Sequence, residues 1–251
     1  MLRSSRVLHA LSAIAVVGLL LGGVNYAFFQ KPLLASNNQI TFPFPVLEPQ
    51  KETCPYDLQS DTSFQRYLSD DMPFADRWYV PSDLVDINSH FTANDSTRYQ
   101  LREEAATQFA DMARKFWHDF DGDRLSITSA YRSSNFQNYL LHAFCKKDQC
   151  ATPGTSEHQA WLALDLAVRA KKWGTKKLEQ GNVYYDWFVQ NAHLYGFLNT
   201  YQKWVDVDGK MVEWRHRRYV GTGLATVLHD DNQTFAERMN SGANQISCPS
   251  L

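Results

Sequence analysis

The chain has 251 residues, of which 44% are hydrophobic and 14% aromatic, so it can build a sizeable core and is not a disordered polymer. Its 25 basic and 27 acidic residues give a net charge of −2, which argues against a nucleic-acid binder because such proteins carry a basic excess. Only one apolar run could cross a bilayer, and this excludes a polytopic membrane protein.

Residues 1–29 are predicted to be a signal peptide or a signal-anchor. Arg3 and Arg6 precede an apolar run from Ala10 to Val24, which is the layout of a secretory signal. No well-fitting cleavage site follows, and counted through Phe29 the run has about 20 residues, enough to span a bilayer. Both alternatives predict an exported protein of the periplasm or cell envelope, in contact with the membrane only through this segment.

Residues 30–53 are predicted to be an extended linker, and residues 54–251 a single folded domain. The linker contains four prolines, at positions 32, 43, 45 and 49. The remaining chain has no repeat or low-complexity tract, and about 200 residues suit one domain. We expect this domain to be monomeric.

All four cysteines lie after the N-terminal segment, and an even number in an exported chain predicts disulfides. Cys145 and Cys150 enclose only four residues and should close a short loop, which leaves Cys54 to pair with Cys248. A cysteine zinc site is the alternative, but the CxxC spacing typical of such sites is absent.

Hydrophobic spacing predicts helices and strands that are interspersed without regular βαβ units. The predicted helices are Tyr99–Phe120, Asn135–Phe144 and Tyr184–Tyr195, and the predicted strands are Leu125–Ser129, Trp161–Val168, Phe197–Trp204 and Met211–Tyr219, the last two around a turn at residues 206–209. This order favours an α+β domain with a small antiparallel sheet flanked by helices.

The segment from Pro153 to Asp165 contains the first two candidate metal ligands. On a strand, Trp161 and Asp165 share one face with alanines, whereas leucines fill the face that packs the core. His158 stands just before this strand, behind a Pro-Gly turn. A histidine and an aspartate can supply two ligands to Zn²⁺, although a lone pair of this kind is more often structural.

A second segment, Glu213 to Gly221, supplies a third ligand and a base. His216, together with His158 and Asp165, leaves the fourth position of a tetrahedral zinc ion open for water, which is typical of catalytic sites. Glu213 can take the proton of that water and pass it to a leaving amine. A basic surface strand with a chance histidine is the alternative.

A third segment, Ser129 to Gln137, joins a strand to the next helix. Arg132 can hold a carbonyl or carboxylate and stabilise an oxyanion, and Gln137 can hydrogen-bond a substrate main chain. The alternative is that the segment only caps the helix, through Ser133 or Ser134.

Together the three segments resemble the VanY-like D-alanyl-D-alanine carboxypeptidases. That family shows S-G-Y-R-S-x(3)-Q, then P-G-x-S-E-H-Q-x-G-x-A-x-D, then E-P-W-H-x-R-Y-V-G, and the order and internal spacing match from Ser129 to Gly221. The group also contains LD-carboxypeptidases, peptidoglycan endopeptidases and the hedgehog-like fold, so the resemblance implies a hedgehog/DD-peptidase-like domain that uses Zn²⁺.

The resemblance also assigns roles to individual residues. It implies zinc ligation by His158, Asp165 and His216, catalysis by Glu213 and Arg132, and substrate binding by Arg132, Gln137 and Ser156. The expected substrate is the stem peptide of peptidoglycan.

Two departures from the family pattern concern the substrate. Trp161 replaces a glycine, and by strand parity it should share the face of Asp165 and narrow the site. Arg215 replaces a tryptophan and adds a cation that a free terminal carboxylate could bind. Alternatively, Arg215 points to solvent beside Arg217 and Arg218.

The resemblance implies a zinc carboxypeptidase that removes a terminal D-amino acid, D-Ala, from stem peptides, and the two departures favour action at a chain end over endopeptidase action. An LD-carboxypeptidase or an endopeptidase on the same fold is the alternative. A non-catalytic cell-wall-binding module is a further one, and the presence of Glu213 speaks against it because a pure binder needs no base.

Overall fold

A central strand carries the candidate ligand Asp165 and has neighbours on both sides. The computed structural model describes residues 56–93 and 97–241. The strands in this part of the chain are β1 (Leu84–Asp86), β2 (Gln100–Arg102), β3 (Arg124–Ser129), β4 (Ala163–Ala170), β5 (Gly174–Lys177), β6 (Phe197–Leu198) and β7 (His216–Tyr219). The main sheet has the order β3-β4-β7-β6, with β5 also paired to β4, and all its pairs are antiparallel. A separate pair, β1 and β2, is also antiparallel.

Helices surround this sheet. Those in the described ranges are α1 (Glu103–Asp119), α2 (Ser134–Ala143), α3 (Val183–Asn191), α4 (Val205–Asp208), α5 (Thr222–Asp230) and α6 (Phe235–Asn240), with 3-10 turns at Glu157–Ala160 and Ala192–Tyr195. No helix of the described residues is both long and apolar enough to span a membrane. The observed α+β architecture with a small antiparallel sheet confirms the predicted fold class.

The core lies between β4 and α1. Phe109, Met112 and Phe116 recur at helical spacing on α1 and are fully buried. Leu164 and Leu166 of β4 belong to the same hydrophobic cluster, as the predicted alternation of that strand requires. Because the leucines of β4 face this cluster, the opposite face of the strand, with Asp165, points away from it.

The helix and strand ends differ from the predictions in several places. The helix predicted from Tyr99 begins at Glu103, because residues 100–102 pair with β1 instead. The strand predicted from Trp161 begins at Ala163, and the strands predicted over 197–204 and 211–219 shrink to β6 and β7. The turn predicted at 206–209 is largely the short helix α4.

Gly196 ends the second 3-10 turn with a φ of 76°. A Cβ atom at this position would lie 2.4 Å from the side chain of Tyr219, so both the backbone conformation and the space require glycine. The segment predicted as signal or anchor (1–29), the predicted linker (30–53) and the predicted Cys54–Cys248 disulfide lie outside the described residues.

Candidate metal centre and substrate cleft

The pairing of β4 with its two neighbours brings the three sequence segments together. Asp165 on β4 lies directly opposite His216 on β7 and opposite Ser129 at the end of β3. His158 comes from the 3-10 turn that precedes β4. The candidate ligands, which lie far apart in the chain, therefore meet because of strand register.

Three ligand atoms converge at this point. The Oδ1 atom of Asp165 lies 3.4 Å from Nε2 of His158 and 3.4 Å from Nδ1 of His216. One ligand atom from each residue lies within 4.8 Å of the others, and all three residues are buried. Because zinc bonds to nitrogen and oxygen are about 2.0–2.1 Å long, ligand atoms around a tetrahedral ion lie about 3.3 Å apart, which is close to the two distances from Asp165.

In each of the two histidines, one ring nitrogen is hydrogen-bonded and the other faces the cluster, where it could bind a metal. Nδ1 of His158 lies 2.5 Å from the carbonyl oxygen of Ala130 and donates to it, while its buried Nε2 has no hydrogen-bond partner. Nε2 of His216 lies 2.7 Å from a carboxylate oxygen of Glu157, so its Nδ1 faces Asp165. A metal-ligating histidine is typically oriented in this way by a bond from its other nitrogen, so the residues present fit a zinc ion.

The charges of the cluster also suit a cation. Burial lowers the pKa of His158, although the charge of Asp165 opposes this, and favours the neutral imidazole that binds metals. Burial alone would raise the pKa of Asp165, but His158 and His216 hold it well below its ordinary value, so the carboxylate is ionised.

Opposing effects act on the pKa of His216. Burial lowers this pKa, but hydrogen bonds to Asp165 and Glu157 outweigh burial and raise it to about 9. A metal ion bound at Nδ1 takes the place of a proton, so metal affinity is coupled to pH at this residue.

Glu157 is a site residue that the sequence reasoning missed, although it lies within the quoted Ser-Glu-His motif. Its side chain is buried and accepts hydrogen bonds of 2.7 Å from both His216 and the hydroxyl of Thr200. Arg218 lies 3.8 Å away and offsets part of its charge. Glu157 therefore orients His216 through this hydrogen bond, and its position next to His158 in the motif was the signal that could have indicated it.

The Arg132 segment lies over the metal cluster. The guanidinium of Arg132 is hydrogen-bonded to Oδ2 of Asp165 and, through Nε, to the hydroxyl of Ser129 at 3.0 Å. The hydroxyl of Ser133 caps α2 by accepting from the amide of Phe136 at 3.1 Å. The segment thus caps the helix and also places Arg132 in the site, so the two interpretations of it are compatible.

Gln137 and Ser156 border the same cleft and are both buried. Nε2 of Gln137 donates to the carbonyl of Ala151 at 2.8 Å, whereas its Oε1 is buried without a hydrogen-bond partner. A buried acceptor of this kind needs a donor, and a substrate amide in the cleft can supply it.

Glu213 and Arg215 lie at the open side of the cluster. The guanidinium of Arg215 donates to Oε1 of Glu213 from Nη2 at 2.7 Å, and its Nε lies 3.9 Å from Oδ2 of Asp165. Arg215 therefore bridges the candidate base and a candidate ligand. It faces the cleft, whereas Arg217 and Arg218 are buried.

The interpretation of residues 213–221 as a basic surface strand is wrong. All four residues of β7 are buried. The guanidinium of Arg217 lies 4.6 Å from the ring of Phe188, and Arg218 donates to the carbonyl of Arg66 at 2.9 Å.

The cleft above the cluster has a volume of about 220 Å³. Its wall includes Cys145 and Cys150, which are joined by a disulfide. Two further lining residues received no role from the sequence: Tyr201, whose ring lies 4.8 Å from that of His216, and Lys210, which pairs with Asp70 at 2.8 Å.

Trp161 does not wall the cleft, and the parity argument for it was wrong. Because β4 begins at Ala163, strand alternation does not extend back to Trp161, which has a left-handed φ of 54°. Its ring is 5% exposed and stacks on Tyr131, with centroids 3.6 Å apart and planes 6° apart. Glycine adopts this φ without strain, which explains the glycine of the family pattern.

Comparisons with known proteins agree with this geometry. Residues 98–222 match the family model VanY, D-alanyl-D-alanine carboxypeptidase. The Bacillus subtilis protein named "Putative carboxypeptidase YodJ" is 34% identical over 173 residues, which cover 63% of this chain and 61% of that protein. A D-alanyl-D-alanine carboxypeptidase of Enterococcus faecalis is 33% identical over 92 residues, 36% of this chain and 32% of that protein. The chain thus spans less than two thirds of the length of these curated relatives.

Solved structures show the same fold. The LdcB LD-carboxypeptidase is 28% identical and superimposes with a TM-score of 0.61, covering 72% of this chain and 87% of that one. A vancomycin-resistance D,D-pentapeptidase VanY, solved with Zn(II), has a TM-score of 0.52 at 22% identity, covering 69% and 97% of the two chains, and this likeness concerns the fold alone.

The fold and the site therefore define a peptidase domain of the carboxypeptidase class. More particularly, the chain carries a VanY-family domain, which confirms the resemblance found in the sequence.

Proposed function

We propose that the protein is a zinc-dependent carboxypeptidase that removes a terminal D-amino acid, D-Ala, from peptidoglycan stem peptides. The observation that carries this proposal is the convergence of His158 Nε2, Asp165 Oδ1 and His216 Nδ1 below a cleft bordered by Glu213. A catalytic zinc site needs three protein ligands, an open coordination position and a nearby base, and these residues supply the ligands and the base.

Zinc, when bound, would act as a Lewis acid on the scissile carbonyl and lower the pKa of a water molecule. Glu213, half-buried at the cleft, takes the proton of the attacking water and delivers it to the leaving amine as the peptide C–N bond breaks. Arg132 is held in place by Asp165 and Ser129, and its positive charge stabilises the negative charge that develops on the carbonyl oxygen. Oε1 of Gln137 accepts a hydrogen bond from a substrate amide.

Arg215 provides the specificity for a chain end. Its guanidinium lies in the cleft next to Asp165 and Glu213, within reach of a carboxylate bound beside the metal. Charge-assisted hydrogen bonds are about twice as strong as neutral ones, so a free terminal carboxylate is preferred to an amide.

An LD-carboxypeptidase is the second candidate, and the similarity to LdcB favours it. Incubation of the purified protein with defined pentapeptide, tetrapeptide and cross-linked muropeptides separates the possibilities. We expect release of D-Ala from the pentapeptide, abolished by a chelator and restored by zinc. Faster cleavage of the tetrapeptide than of the pentapeptide would indicate an LD-carboxypeptidase instead. Faster cleavage of cross-linked dimers would indicate an endopeptidase.

We also propose that the enzyme acts outside the cytoplasm, held at the membrane by residues 1–29 or released after their cleavage. The basic start and apolar run of this segment support export. Cell fractionation with an antibody against the domain tests this, and retention in the cytoplasm would contradict it.

A further inference from the structure

The outer face of α2 and the residue that ends it carry three exposed aromatic rings, which we call the aromatic row: Phe136, Tyr139 and Phe144. They are 47%, 55% and 68% exposed. Their centroids are 6.2 Å apart for the first pair and 5.5 Å for the second, so the rings form one contiguous surface. A contiguous apolar patch of this kind on a soluble domain marks an interaction site more often than scattered exposed residues do.

The aromatic row is continuous with the substrate cleft. Gln137 and Leu140, on the inner side of α2, line the cleft, and Phe144 lines it as well while belonging to the row. A substrate that extends out of the cleft over α2 therefore meets the aromatic row directly.

The chemistry of this face suits a neutral, polyhydroxylated ligand. No Asp, Glu, Lys or Arg occurs from Ser133 to Phe144, and the exposed polar side chains of this stretch include the amides of Asn135 and Asn138. Aromatic faces are electron-rich and attract the C–H groups of a pyranose ring, while amides both donate and accept hydrogen bonds. The opposite side of the cleft, with Lys210, Glu213 and Arg215, is charged instead.

We propose that the aromatic row binds the amino-sugar chain to which the stem peptide is attached. This inference rests on the proposed function, which places the end of the stem peptide at the metal cluster. Four extended residues between the scissile bond and the sugar span about 13 Å. The row begins at the cleft with Phe144 and continues through centroids 5.5 Å and then 6.2 Å apart. A sugar at the end of the stem peptide can therefore lie on the row while the terminal residue occupies the cleft.

The test compares a sugar-linked with a sugar-free substrate. The double variant Phe136→Ser/Tyr139→Ser leaves every residue of the catalytic machinery in place, and Trp173→Ser is the matched control because Trp173 is 70% exposed on a different element. With disaccharide-pentapeptide as substrate, we expect kcat/KM of the double variant to fall about tenfold, mainly through KM. With free pentapeptide, we expect the double variant and the control to match the unmodified protein.

A binding measurement makes the result independent of catalysis. Glycan strands stripped of their peptides should retain the unmodified protein and Trp173→Ser but release the double variant. Equal losses on both substrates, unchanged binding to the strands, or a change of oligomeric state in the double variant would overturn the proposal. If neither substrate is cleaved, the proposed function fails, whereas binding to the peptide-free strands still decides this inference.

Discussion

Two layers of the cleft differ in burial and in the number of hydrogen bonds that hold their side chains. The floor, defined as Glu157, His158, Asp165 and His216, is buried and held by hydrogen bonds on several sides. The rim, defined as Phe144, Lys210 and Arg215, is more exposed, and the side chain of Arg215 is 52% exposed. The floor retains the family pattern, while the rim holds the departure at Arg215. This contrast indicates that metal binding and substrate choice are carried by separable sets of residues.

The largest effect is expected at the floor. His216→Ala removes a metal ligand and takes one partner from each of two buried carboxylates, so it should abolish both zinc binding and turnover and destabilise the fold by about 3 kcal/mol. Metal analysis and thermal unfolding of the purified variant measure this. His142→Ala, at an exposed position of α2, is the matched control. A His216→Ala protein that keeps stoichiometric zinc would refute the assigned ligand set.

Substitution of the proposed base, Glu213, should affect the rate of the reaction without affecting metal binding. Glu213→Ala leaves the three ligands intact but removes the proton carrier, so kcat should fall by about 10²–10⁴-fold while zinc content stays the same. Steady-state kinetics together with metal analysis check both parts. An unchanged kcat would exclude Glu213 as the base.

Glu157→Gln tests whether zinc binding at the floor depends on the carboxylate that hydrogen-bonds to His216. The amide keeps the shape of the side chain but loses the charge that faces His216, so zinc affinity should fall by about 10–100-fold. Competition with a fluorescent chelator measures the affinity. Thr200→Val, which removes only the other hydrogen bond to Glu157, should have a smaller effect. Unaltered zinc affinity in Glu157→Gln would show that Glu157 does not position the ligand.

Substitution in the rim should reduce activity least, and the reduction should depend on which substrate is used. Arg215→Trp is expected to raise KM for pentapeptide more than it lowers kcat, because the guanidinium would contact the terminal carboxylate. Amidation of the substrate's C-terminus should cost the unmodified enzyme a similar factor. If the amide is cleaved as fast as the free acid, Arg215 does not bind that carboxylate.

The sequence predicted the meeting of His158, Asp165 and His216 but not the position of Trp161, and the reason is physical. Alternation along β4 indicates which face carries Asp165, since the leucines of the opposite face pack into the core. The three ligands could thus be assigned from spacing and family pattern. The direction in which the Trp161 side chain points could not be predicted in this way, because Trp161 itself has a left-handed conformation that interrupts the alternation just before the strand.

The burial of the β7 arginines is a second feature that the sequence does not show. Arginines are mostly exposed, so the Arg-Arg pair of β7 suggests a surface strand, yet Arg217 packs on an aromatic ring and Arg218 on backbone carbonyls. The predicted strands around residues 197–219 were too long, because α4 and irregular backbone occupy the middle of that stretch. Such contacts come from distant segments and leave no local periodicity in the sequence.

The register between β4 and β7 also determines which changes this gene could tolerate during divergence. Asp165 faces His216, Leu164 faces Arg217 and Ala163 faces Arg218. Deletion of one residue between Glu213 and His216 would shift β7 or strain the chain before it, and a one-residue slip would turn His216 to the opposite side of the sheet. Substitutions in this stretch, such as Trp214 and Arg215 in place of the family's Pro-Trp, leave the register unchanged. We therefore expect related sequences to vary in side chains between Glu213 and His216 but to keep the same number of residues there.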